Sequence, residues 1–163
     1  MTRQKRSEMI ASTRGKLIAA GRKAFAARGY ADTATEDLTA DADLTRGALY
    51  HHFPNKLALG YAVVDEILMG HFHSVWNDFI TRFPNPLTAM QQLFLSKADS
   101  YRDEHCFKGC PLNNLNQEMA AIDAGFHARL EMVMESIYQT IVHALEQGQQ
   151  QGDVRADINP TRI

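Results

Sequence analysis

The chain is poor in cysteine, proline and tryptophan, with two, five and one among 163 residues. Two cysteines cannot staple a small disulfide-dense scaffold, so the fold must rest on a packed apolar core, and so few suit a reducing compartment. No apolar run approaches the roughly 18 residues of a membrane span. The basic opening MTRQKRSEM is not followed by the apolar stretch of a signal peptide, so a cytoplasmic protein without membrane attachment is expected. No glycine-rich phosphate loop, paired-carboxylate or Ser-His-Asp pattern appears in supporting context, which argues against an enzyme and implies no cofactor.

What is present suits an ordinary globular chain, with 45% hydrophobic and 22% charged residues. The formal net charge of -2 hides an asymmetry. Residues 1–56 carry ten Lys and Arg against six Asp and Glu, a balance of +4, and the remainder carries seven against thirteen, a balance of -6. A basic N-terminal third on an acidic body points to a polyanionic partner for the first part.

The chain is organised around Thr33 to Lys56, TATEDLTADADLTRGALYHHFPNK. A helix over residues 7–28 precedes it, with Ile10, Arg14 (by its stem), Leu17, Gly21, Ala24 and Phe25 on one stripe and Gly29 as terminator. Thr33-Ala-Thr-Glu36 has the form of a capping box opening a second helix, which buries Leu38 and Ala42. Asp43 is a candidate for a left-handed turn position. Leu44 plugs the gap between helices, and Thr45 caps a third helix from Arg46 to about Phe53. With Leu49 and Phe53 inward, Arg46, Gly47, Ala48, Tyr50 and His51 face outward. Small residues at 47 and 48 let the backbone approach a groove floor, and Arg46 can make a bidentate contact with guanine. Thr45, Tyr50, His51 and Lys56 carry donors suited to phosphate oxygens. This is the size and order of a helix-turn-helix that reads double-stranded DNA.

The run from Gly29 to Lys56, above all LTRGALYHHFPNK with its Tyr-x-His-Phe-x-x-Lys ending, resembles the DNA-binding domain of the TetR family of transcriptional regulators. The resemblance is close over residues 10–60 and extends beyond them in helix pattern and length. It implies an all-α homodimer in which residues 1–55 form the DNA-binding domain and 56–163 a helical ligand-binding and dimerisation domain. It implies a repressor that leaves a palindromic operator when a small-molecule effector binds. Carried over by position, Thr33, Thr35, Thr45, Tyr50, His51 and Lys56 would touch the DNA backbone, and Arg46, Gly47 and Ala48 would face bases. Two positions depart from the family pattern: the turn glycine is Asp43, and the usual alanine after the second helix's aliphatic is Thr39.

Beyond the head, residues 56–83 read as one long helix carrying Leu57, Val64, Leu68, Phe72, Val75, Phe79 and Phe83 on a broad apolar face. Asn85-Pro86 opens a fifth helix, with Leu87, Met90, Leu93, Phe94 and Tyr101 apolar. Pro111 opens a sixth and Asp123 caps a seventh that Gly148 and Gly152 end. Asp157-Ile-Asn-Pro-Thr looks like the start of another helix, and members of the resembled family continue through further helices, so the chain reads as lacking its last ones.

Phe72, Trp76, Phe79, Tyr101, Phe107, Met119, Phe126 and Tyr138 either build core or line a pocket for a bulky apolar effector, with Asn113 a polar group to orient it. Cys106 and Cys110, near His105 and Lys108, offer a thiol sensor, with Cys106 the better placed; small buried hydrophobes are the plainer account. A zinc site there would lack a second ligand pair, so no metal is expected. A third alternative is a small-molecule-binding module that does not bind DNA, for which Asp41 and Asp43 beside the reading helix speak.

Overall fold

A computed structural model describes the backbone of residues 3–103 and 109–162, and the side chains from residue 12 onward except 67 and 100–108. Among the described residues every regular element is helical: α1 (Arg3–Arg28), α2 (Thr35–Asp41), α3 (Arg46–His52), α4 (Lys56–Val63), α5 (Met69–Arg82), α6 (Pro86–Asp103), α7 (Pro111–Met119) and α8 (Ala124–Gln151). A π-helical turn, Val64–Leu68, follows α4, and a short 3-10 turn, Pro160–Arg162, comes last. No described helix is long and apolar enough to cross a membrane.

The chain packs as two compact units, one of Met1–Leu68 with Lys108–Leu130 and one of Met69–Phe107 with Glu131–Ile163. Residues 108–130 lie in the same unit as the helix-turn-helix although the chain leaves that unit for 39 residues in between.

In the first unit α1 packs on α2, α3, α4 and α7. The expected stripe of α1 is borne out at Leu17, Gly21, Ala24 and Phe25, all buried, and Ile18 and Ala20 join it. Leu38, Leu49, Phe53, Leu59 and Val63 close the core from the other helices. Its far side is aromatic. The Tyr30 ring lies 5.2 Å from Phe25 and 5.1 Å from Phe126, and Tyr61 meets Phe126 edge-on at 5.2 Å. Edge-to-face contacts of this kind add to the area the rings bury.

Residues 56–83 depart from a regular helix at Val64–Leu68, where the turn widens to a π-helix. The wide turn carries Asp65 and Glu66, and each carboxylate meets an arginine: Glu66 takes both terminal nitrogens of Arg14 at 2.6 and 2.5 Å, and Asp65 takes Arg129 Nε at 3.0 Å. Periodicity cannot show such a turn, because the apolar residues on either side still recur at helical spacing.

In the second unit α5 packs on α6, and Ala89, Leu93, Val133, Val142, Ala144, Leu145 and Val154 are buried. The helix starts expected at Asn85-Pro86, Pro111 and Asp123 are all observed. Asn85 Oδ1 accepts from Leu87 N at 2.9 Å and Asp123 Oδ1 from Phe126 N at 2.8 Å. Among the apolar residues of α6, Leu87 and Phe94 are 48% and 64% exposed. One expectation for the bundle needs correction. Gly148 does not end α8; it lies inside the helix, against Val154 and Pro86, and only Gly152 terminates it, at φ 82°.

Gly60 marks a tight approach in the first unit. A Cβ there would lie 2.5 Å from Phe126 Cζ and 3.0 Å from Tyr30 Cε2, which two interlocked rings cannot relieve. Gly60→Ala should therefore destabilise the protein by about 1–3 kcal/mol despite its better helix propensity. Urea unfolding at equilibrium checks this; an unchanged or raised midpoint would contradict the close packing.

Candidate nucleic-acid interface

The helix-turn-helix is assembled from short-range chemistry. The turn after α2 is a Schellman motif: Leu44 N donates to Thr39 O at 2.9 Å and Asp43 N to Ala40 O at 3.1 Å. Asp43 takes the left-handed position at φ 54°, as expected, and is the only non-glycine with positive φ among the described residues. Thr39 is buried, and its hydroxyl donates to Glu36 O at 2.9 Å, so its polar group is satisfied where the family has alanine. Thr45 caps α3, its Oγ1 accepting from Ala48 N at 3.2 Å. Leu49 and Phe53 point inward at 0% and 3% exposure. Arg46, Gly47, Tyr50 and His51 are exposed and Ala48 is half-buried, so the expected outward set shares one face of α3.

Two residues expected at phosphates make hydrogen bonds inside the fold. Thr33 is 1% exposed and its hydroxyl donates to Gly29 O at 2.7 Å, closing the end of α1. It does not cap α2: Ala34 holds that position, and Asp37 rather than Glu36 reaches back to Ala34 N, at 3.4 Å. The Lys56 ammonium donates to Tyr30 O at 2.9 Å, Thr33 O at 3.0 Å and Ala31 O at 3.3 Å, and lies 4.4 Å from the centre of the Tyr30 ring. Three acceptors match its three N–H groups, so Lys56 fastens the α1–α2 loop. Thr35 is half-buried and donates to Glu36 Oε2 at 3.1 Å.

The same loop is held from its other side. Glu118 of α7 accepts from Tyr30 N at 2.7 Å and from Ala31 N at 2.5 Å. No local motif announces this contact, because 87 and 88 residues separate the partners. Nearby, the Tyr61 hydroxyl donates to Asp123 Oδ1 at 2.6 Å, and that bond holds the Asp123 carboxyl below the usual carboxylate range. Arg129 stacks 4.1 Å from the Tyr61 ring centre. The head thus rests on α7 and the first turns of α8.

The residues expected to line an effector pocket are divided between the units. Phe126 and Met119 are core of the first unit, at 0% and 6% exposure, and Asn113 is exposed on α7. In the second unit Phe72, Trp76, Phe79 and Tyr138 are half-buried. Trp76 meets Phe94 edge-on at 6.3 Å, and the Tyr138 hydroxyl donates to Thr161 O at 2.9 Å. An open groove of about 670 Å³ runs past Phe79, Phe83 and Leu95, with Arg82, Gln92, Ser96 and Asp99 on its polar side. The Tyr101 side chain, Phe107 and Cys106 lie outside the described residues, and with them the expected thiol sensor. Cys110 is a half-buried free thiol at the start of α7. Among the described residues no cluster of three or more potential metal ligands occurs.

A capped bihelical reader with an arginine and two small residues on its outer face defines a helix-turn-helix DNA-binding protein. Residues 17–63 match the model of the bacterial regulatory proteins of the tetR family, and residues 86–163 match a tetracyclin repressor-like C-terminal domain. The chain belongs to the TetR family of transcriptional regulators. It is 24% identical over 147 residues to the HTH-type transcriptional repressor DhaR of Mycobacterium sp. (strain GP1), covering 90% of this chain and 72% of that protein. It is 28% identical over 148 residues to the transcriptional regulator AcuR of Cereibacter sphaeroides, covering 90% and 67%. Among solved structures, the regulatory protein TetR from Rhodobacter sphaeroides superposes with a TM-score of 0.81 at 26% identity, covering 91% of this chain and 78% of that one.

Two measurements test the local chemistry. Asp43→Gly removes the side chain from the left-handed position and should stabilise the protein by about 0.5–1 kcal/mol; an unchanged or lowered melting temperature would contradict the strain at this turn. Burial, with help from the Asp123 and Tyr61 charges, pushes the Tyr30 phenol up to about 12. The folded state therefore keeps this proton to higher pH than the unfolded chain, and its stabilising effect is lost as pH rises from about 10 toward 12. Stability measured in urea should fall more steeply across that window in wild type than in Tyr30→Phe, by about 2–3 kcal/mol at its upper end. Parallel curves would show the hydroxyl to be hydrated in the fold.

Proposed function

We propose that the protein is a repressor that binds a palindromic operator as a homodimer in the cytoplasm and leaves it when a small apolar effector binds the second unit. The observation that carries this reading is the outer face of α3. It presents an arginine, a glycine and an alanine in succession at the helix start, where a recognition helix meets base edges. Arg46, Gly47 and Ala48 face the major groove, Arg46 reading a guanine. Thr45, Tyr50 and His51 contact the DNA backbone with Thr35 beside them; Thr33 and Lys56 act indirectly, by fixing the loop that carries α2. Residues 1–55 do the reading, and the remainder senses the effector and pairs the subunits.

Repression is supported by the relative named as a repressor, DhaR. The effector reading rests on the α5–α6 groove, whose aromatic and aliphatic wall faces one arginine, two neutral polar groups and one aspartate. Release follows when the effector prefers the DNA-incompetent conformation.

Binding of a randomised duplex library, followed by titration of the selected sequence, tests the reading. The selected sequence should be a two-fold palindrome, with half-sites about one helical turn apart or a multiple of it. Arg46→Ala should lose about 1–3 kcal/mol at one symmetric base pair and leave the preference at other positions intact. Equal weakening on selected and random duplexes would remove Arg46 from base reading.

A further inference from the structure

The carboxylate of Glu36 sits on the reading face itself. Its Oε1 lies 2.9 Å from Arg46 Nη1, and both side chains are more than half exposed, at 57% and 61%. The contact joins the first turn of α2 to the first turn of α3. Thr35 adds to it from behind, through its bond to Glu36 Oε2, and the Tyr50 ring lies 6.0 Å from the guanidinium on the other side. Thr35, Glu36, Arg46 and Tyr50 therefore form a chain of contacts across the surface that the proposed function presents to DNA. Bonds from its own backbone and from Thr35, with the Arg46 charge, hold the Glu36 carboxyl below the usual range, so it is ionised at neutral pH.

An ion pair this exposed adds little to folding stability. It does act on the arginine. A free arginine samples many rotamers and must be ordered before it can make two hydrogen bonds to one base, whereas a guanidinium already fixed in its plane loses less on binding. Five N–H groups allow a carboxylate and a guanine to be served together, provided they approach different edges. A carboxylate beside DNA also repels phosphates without regard to sequence, so it lowers binding to random duplex. The first effect raises the ratio of specific to nonspecific affinity, whereas the second weakens both alike.

We propose that Glu36 is a positioning residue for base readout, which holds the Arg46 guanidinium in the orientation that reads one base pair and excludes looser contacts. This rests on the proposed role of Arg46. The two assignments separate in one experiment, in which full-length wild type, Glu36→Ala, Glu36→Gln, Arg46→Ala and the Glu36→Ala/Arg46→Ala double variant are titrated. The probes are the duplex selected from the random library, its variants substituted at each base pair, and a random duplex.

Glu36→Ala should reduce discrimination about tenfold at the base pair whose preference Arg46→Ala abolishes, and at no other. Binding to random duplex should hold or tighten, and Glu36→Gln, which keeps an acceptor oxygen, should recover part of the discrimination. In the Arg46→Ala background the Glu36 substitution should leave that position unchanged. Unaltered discrimination in Glu36→Ala, with all duplexes bound more tightly, would overturn the positioning role and leave only a repulsive charge. Lost discrimination in Glu36→Ala that persists in the Arg46→Ala background would overturn it too, since the carboxylate would then act on DNA directly. If Arg46→Ala itself preserves every base preference, the reading of Arg46 has failed, and the positioning role with it. Thermal melting of each variant, expected within about a degree of wild type, shows that the differences arise at the DNA surface.

Discussion

The loop between α1 and α2 is six residues long, and the geometry of the reading head depends on how it is held. Its amides at Tyr30 and Ala31 go to the Glu118 carboxylate, and its carbonyls at Tyr30, Ala31 and Thr33 go to the Lys56 ammonium. A short connection of this kind exposes backbone groups that no helix satisfies, and each would be costly to leave unpaired near a core. One anion and one cation complete them from opposite sides. The two charges come from α7 and from the start of α4, so the placement of α2 is determined by elements remote from it in sequence.

This arrangement ties the reader to the region between the two cysteines and the long last helix. Glu118, Asp123, Phe126 and Arg129 all fall within α7 or the beginning of α8, and each touches a residue of the head or of the helix that follows it. The contacts are of different kinds (a carboxylate on amides, a phenol on a carboxylate, ring on ring, guanidinium on ring), and a displacement of α7 would disturb them together. Spatial continuity supplies a material link for regulation; its energetic coupling is a separate quantity.

Much of the head was legible in the sequence because its rules are local. The αL position of Asp43, the Thr45 cap, the inward Leu49 and Phe53 and the outward face of α3 each depend on residues within a turn or two of one another. Thr33 was misread for an instructive reason. Thr-x-x-Glu satisfies the capping-box pattern, but the threonine hydroxyl found the carbonyl four residues before it, and Asp37 took the place of Glu36. The pattern names acceptors without saying which donor reaches them first. The carbonyl contacts of Lys56 were not legible either: a basic residue near a DNA reader suggests phosphate, and the loop carbonyls it meets are 26, 25 and 23 residues away in sequence. Glu118 and the π-helical turn left no trace, the one because its partners are distant and the other because the apolar rhythm passes through it. The aromatic residues of the second unit could not be sorted into core and groove, since both uses need the same residue types at the same spacing.

Asp43 also bears on how readily the protein lets go. A turn built on glycine would be neutral, whereas this one places an anion beside the reading helix, next to Asp41 on α2. Repulsion between this anion and phosphates lowers the affinity of the adjacent face for every DNA sequence alike, and each tenfold loss in affinity corresponds to about 1.4 kcal/mol.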